Sequence, residues 1–90
     1  MPELSAVVVA WDAGASLAAC TSALRRSAEL AGVDLQIVVV DNASSDGTLE
    51  LLAARFPHVT VVRNEQNLGF GRAVNRGAAA AGDADAIVLV

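Results

Sequence analysis

Two segments carry residues whose types and order could do chemistry. In the first, from Ile37 to Thr48 (IVVVDNASSDGT), polar residues directly follow a run of valines. Ligands of open α/β sheets sit beyond the carboxyl ends of the strands, so a carboxylate at Asp41 is placed to accept hydrogen bonds from a nucleobase N–H or a ribose hydroxyl. The plainer reading makes Asp41 and Asn42 turn formers. Ser44 to Thr48 reads as a turn into a helix, with Asp46, three residues before Leu49, as its N-cap.

The second segment runs from Asn64 to Gly77 (NEQNLGFGRAVNRG). Gly69 and Gly71 leave the backbone open at the start of a helix, where free N–H groups and the helix dipole favour an anion, and Arg72 adds a fixed charge. That combination is a diphosphate cradle. Against it stands the reading that the glycines only permit a tight turn, with Arg72 and Arg76 as solvated helix residues. The segment is not a dinucleotide fingerprint: G-x-G-x-x-G needs a glycine or alanine where Val74 stands, and belongs after the first strand, where this chain has Trp11-Asp12-Ala13-Gly14. Asp83-Ala84-Asp85 spells a carboxylate pair suited to a metal, but it precedes a strand and reads as a solvated loop at the wrong end of a sheet. Trp11 reads as sheet-end packing or as part of a base-binding wall, Cys20 as a helix-core residue and His58 as a surface turn residue. No Ser-His-Asp or metal-ligand set can be assembled.

The elements that must position these residues follow from hydrophobic period. Leu4 to Ala10, Leu35 to Val40, Val59 to Val62 and Ala86 to Val90 are short continuous apolar runs, the pattern of parallel strands buried on both faces. Between them, helical spacing links Leu17, Cys20, Leu24 and Ala28 after a Ser16 cap. It also links Leu49, Leu52, Ala53 and Phe56, then Phe70, Ala73, Val74, Gly77 and Ala81. Gly32, Pro57 and Gly82 end the three helices. The order β-α-β-α-β-α-β predicts an α/β fold, a parallel sheet with helices on both faces like the mononucleotide-binding half of a Rossmann-like domain.

Composition bounds the rest. Ninety residues, 54% of them hydrophobic, make one domain, residues 1–90, and exclude a disordered tail. A net charge of −4 argues against nucleic acid as a partner. All six basic residues are arginine, which excludes a P-loop and Schiff-base lysine chemistry. A single cysteine excludes an internal disulfide and points to a cytoplasmic setting. No apolar run approaches the length of a transmembrane segment.

Taken together, Leu4 to Asp12 (LSAVVVAWD), Val38 to Thr48 and Asn64 to Gly77 resemble, in order and spacing, the opening of a family 2 glycosyltransferase with the GT-A fold. The rhamnosyltransferase-like branch is the nearest in flavour. The resemblance implies sugar transfer with inversion from a nucleotide-sugar donor, a dTDP- or UDP-sugar, to a saccharide or lipid-linked acceptor, in cell-wall polysaccharide biosynthesis. It implies that Ala10, Trp11 and Asp41 line the nucleoside pocket and that Asn67, Gly69, Arg72 and Asn75 lie near the nucleotide and its diphosphate. It also implies a divalent metal, magnesium or manganese, whose D-x-D-like ligands would follow Val90, and a catalytic base later still.

Because the chain stops at Val90 on the last residue of an apolar run, the expectation is a truncated N-terminal donor-binding part. Such a part is inactive alone and inclined to form a homo-oligomer through an exposed strand edge. In the longer enzyme, the expected location is cytoplasmic, peripheral to the inner membrane face. The alternative is a non-catalytic nucleotide-binding or self-associating α/β module. A phosphorylated receiver domain is disfavoured, since the acidic pair after the first strand and the late lysine of such domains are missing.

Overall fold

A computed structural model of the chain describes residues 4–82 and, as backbone, residues 86–89. The elements alternate without exception: β1 Leu4–Ala10, α1 Gly14–Ala31, β2 Leu35–Asn42, α2 Thr48–Arg55, β3 Thr60–Asn64, α3 Gly69–Ala81 and β4 Ala86–Leu89. All strand pairs are parallel, in the order β3-β2-β1-β4. The chain therefore steps outward from β1 to β3 and then crosses back to put β4 on the other side of β1. That reversal marks a switch point, where ligands of doubly wound sheets bind beyond the carboxyl ends of the strands.

Successive strand residues face opposite sides of the sheet, which divides the core in two. Val8, Ala10, Ile37 and Val39 pack with Leu17 and Ala18 of α1, Leu52 of α2 and Phe56 at the end of α2. Val7, Val38 and Val40 pack with Ala73 and Ala81 from α3 on the other face. Val38, Val39 and Val40 are wholly buried, as valines covered on both faces must be. Helix α3 sits close to the sheet: a Cβ at Gly77 would lie 2.3 Å from Val7 Cγ1 and 2.8 Å from Val40 Cγ2.

Several expectations are corrected. Strand β2 continues through Asp41 and Asn42, because both pair in register with Arg63 and Asn64 of β3. Strand β3 runs Thr60–Asn64 and is an edge strand, with Thr60, Val61 and Arg63 exposed, so it is not buried on both faces. Helix α1 begins two residues before Ser16, whose N–H donates to Ala13 O at 2.9 Å within the first turn. Gly47, not Asp46, occupies the cap position of α2, although Asp46 Oδ1 accepts the Thr48 N–H at 3.1 Å and also the Thr48 hydroxyl. Ala53 and Phe70 lie outside the apolar stripes of their helices and are exposed. Gly32, in the left-handed region at φ +68, closes α1 as expected. Asp83, Ala84, Asp85 and Val90 lie outside the described residues.

Candidate functional site

The carboxyl ends of β1, β2 and β3 bring the polar residues of both motifs together. Ala10 pairs with Asp41 and Asp41 with Arg63, while Asn42 pairs with Asn64 one row further on. Because the side-chain period of a strand is two, Asp41 joins the face carrying α1 and α2, and Asn42 joins the face carrying α3. One dipeptide thus serves two loops.

On the first face, Asp41 is fully buried and both carboxylate oxygens are engaged by Ser44. The Ser44 hydroxyl donates to Oδ1 at 2.5 Å and its backbone N–H to Oδ2 at 3.1 Å. Ser44 Oγ also accepts the Asp12 N–H at 2.9 Å, and Asp12 Oδ1 accepts the Ser45 N–H at 2.7 Å, tying the β1–α1 loop to the β2–α2 loop. Gly14 N–H adds a third tie by donating to Thr48 Oγ1 at 3.2 Å. Two residues other than glycine, Asp12 at φ +49 and Ala43 at φ +66, sit in the left-handed region within these loops. Such strain persists only where surrounding contacts over-determine it, as these ties do at Asp12.

On the second face, Asn42 and Asn64 are nearly inaccessible yet fully partnered. Asn64 Nδ2 donates to Asn42 Oδ1 at 2.7 Å, and Leu68 N–H makes a longer contact to the same oxygen at 3.4 Å. Asn42 Nδ2 donates to Gly69 O at 3.3 Å. Arg76 Nη1 donates to Asn64 Oδ1 at 2.5 Å, so Arg76 is held at the sheet end rather than simply solvated. Beside these groups lies an open groove of about 570 Å³ lined by Arg63, Asn64, Glu65, Gln66, Leu68 and Arg76.

The residues singled out from sequence fall into two groups. Ala10 is buried beneath the edge, and Trp11, the next residue, is 61% exposed, so it is not sheet-end packing. Asn67, Gly69, Arg72 and Asn75 are all exposed along the start and outer side of α3. Gly69 lies at φ +78, a backbone conformation that glycine adopts without strain. Its N–H is already accepted by Asn67 Oδ1 at 2.8 Å, so this part of the cradle is internally satisfied. Arg72 makes no hydrogen bond or ion pair among the described residues and is available to an anion. Sequence reasoning passed over Asp12, Asn42, Ser44, Asn64 and Arg76 as working parts of this edge. The period-two rule applied to Asp41-Asn42 was the available signal for Asn42.

Among the described residues, no three Asp, Glu, His or Cys side chains converge as a metal ion would require. No helix among the described residues is long and apolar enough to cross a membrane.

Comparison with known proteins agrees with this architecture. The chain is 32% identical over 80 residues to N-acetylglucosaminyl-diphospho-decaprenol L-rhamnosyltransferase of Mycobacterium tuberculosis strain CDC 1551 / Oshkosh, and equally to the protein of that name in strain ATCC 25618 / H37Rv. The match covers 89% of this chain and 25% of each relative, so the chain spans about a quarter of the length of these curated proteins. The profile of Glycosyl transferase family 2 matches residues 5–90, from the second residue of β1 to the last of the chain, and the chain therefore belongs to that family.

Proposed function

We propose that this chain forms the donor-nucleotide-binding part of an inverting glycosyltransferase that moves a sugar from a dTDP- or UDP-sugar to a saccharide or lipid-linked acceptor. The observation that carries the reading is the joining of the family's loops at one sheet edge beside the switch point, with Trp11 and Arg72 exposed there. The relatives are named as rhamnosyltransferases acting on a diphospho-decaprenol compound, which favours a deoxysugar donor and a lipid-linked acceptor in cell-wall polysaccharide synthesis.

In this reading, Trp11 stacks on the base and Arg72 neutralises diphosphate charge, with Asn67, Gly69 and Asn75 beside it. Asp41 is fully buried with both oxygens committed to Ser44, so it acts as the brace of the β2–α2 loop, and direct contact with the nucleoside would require Ser44 to move aside. The divalent cation, magnesium or manganese, and the acceptor-activating base belong to residues outside this chain, which therefore transfers no sugar alone. The enzyme works in the cytoplasm, at the inner face of the membrane, where a lipid-linked acceptor would be met.

Calorimetric titration with dTDP, UDP and GDP tests this reading. Binding of at least one, weakened by Arg72→Ala for the diphosphate but not for the parent nucleoside, is expected. Absence of heat with all three would overturn the nucleotide-binding reading.

A further inference from the structure

The two buried asparagines form a chain whose polarity is forced from both ends. The Leu68 N–H can be accepted only by an oxygen, and the Gly69 carbonyl can accept only from an N–H, so Asn42 has one possible amide orientation. With its Oδ1 turned that way, Asn64 must present Nδ2 to it, which leaves Asn64 Oδ1 facing outward. A guanidinium, which has donors and no acceptor, stands at that point in Arg76. The shortest contacts, 2.5 Å and 2.7 Å, lie at the guanidinium end, and both asparagines are buried, where such hydrogen bonds are strongest.

We propose that Asn42, Asn64 and Arg76 are positioning residues that fix the β3–α3 loop, residues 65–68 with its flanking Asn64 and Gly69, in the conformation that receives the nucleotide. The consequence for binding rests on the function proposed above; the effect on the loop does not. The end of the loop hangs from Asn42 at two backbone points, Leu68 N and Gly69 O. Its start, Asn64, is joined to Arg76 two turns into α3. Loop and helix are thereby referred to the end of β2, the same strand that carries Asp41. Pre-organisation of this kind raises affinity by removing the ordering cost of the loop from the binding step.

Asn42→Asp tests the polarity directly, since it keeps the shape but replaces the donor to Gly69 O with an acceptor. Arg76→Ala tests the outer end from an exposed helix position, and Arg76→Lys restores a cationic donor. In the absence of ligand, Asn42→Asp and Arg76→Ala should shift the backbone amide resonances of residues 64–69 and speed their hydrogen exchange about tenfold, leaving those of Val38 to Val40 unchanged.

With ligand, the Kd for the nucleotide that wild type binds should rise about tenfold in Asn42→Asp and severalfold in Arg76→Ala. Arg76→Lys should recover most of the loss in affinity, together with most of any fall in Tm seen in Arg76→Ala. Loop resonances and exchange that stay as in wild type in both variants would overturn the proposal. So would a loosened loop with unaltered nucleotide affinity. If wild type binds none of the nucleotides, the functional reading fails, and the loop readout alone decides whether the relay exists.

Discussion

Ser44 closes over Asp41 with two hydrogen bonds, one from its hydroxyl to Oδ1 at 2.5 Å and one from its backbone N–H to Oδ2 at 3.1 Å. The same hydroxyl oxygen accepts the Asp12 N–H, so one small side chain joins the ends of β1 and β2. A fully buried carboxylate needs such donors, because an unpaired buried charge is costly. Ser44→Ala keeps the backbone donor but removes the hydroxyl. Hydrogen bonds to charged groups contribute roughly 1.5–3 kcal/mol, so the variant should lose about 2 kcal/mol. Urea unfolding should show a lower midpoint at unchanged slope. A midpoint equal to that of wild type would mean that the carboxylate finds another donor.

Gly77 sets the distance between α3 and the sheet. Alanine there gains up to about 1 kcal/mol of helix propensity, yet its Cβ would fall 2.3 Å from Val7 Cγ1, inside the contact limit of any carbon pair. Overpacking of this kind costs roughly 1–3 kcal/mol, so Gly77→Ala should be destabilising on balance. Combining it with Val7→Ala should be less damaging than the sum of the single changes, since the second removes the methyl that the first strikes. Thermal denaturation of the four proteins in the cycle checks this, and simple additivity would count against a clash at Val7.

Much of this molecule is legible in its sequence. Valine runs and three amphipathic stretches suffice for the seven elements in order, because buried parallel strands and one-sided helices leave opposite periodic signatures. What escapes is the state of the polar residues at the edge. Asp41 and Asn42 read as loop because they are polar, but they remain strand because Arg63 and Asn64 pair with them, a long-range fact with no local signature. Arg76 reads as a solvated helix residue for the same reason: nothing near it in the chain announces Asn64 as its partner. Phe70 keeps the helical spacing of the stripe but lies in the first turn of α3 and is 60% exposed, so spacing alone assigns it wrongly.

Self-association through an open strand edge is the next expectation to test. Strand β3 closes the sheet on one side with Thr60, Val61 and Arg63 exposed, Val61 to 42%. An edge of this kind offers unpaired backbone groups and an apolar side chain to a second copy. Light scattering should show mass rising with concentration for the chain, and Val61→Lys should return it toward monomer, because an edge lysine resists strand pairing. A wild-type monomer across the concentration range would sink the idea.

The base-stacking role proposed for Trp11 comes with its own reporter. It is the sole tryptophan of the chain, 61% exposed, and it directly follows Ala10, which pairs with Asp41. A base stacked on its ring should quench its fluorescence in a saturable way as nucleotide is added. Stacking of a base on an aromatic side chain is worth roughly 1–3 kcal/mol by alanine substitution, so Trp11→Ala should weaken nucleotide binding about tenfold or more. Its exposure means that little packing is lost, and the Tm should hardly change. A nucleotide that binds by calorimetry while leaving Trp11 fluorescence and the Trp11→Ala affinity untouched would move the base away from the end of β1.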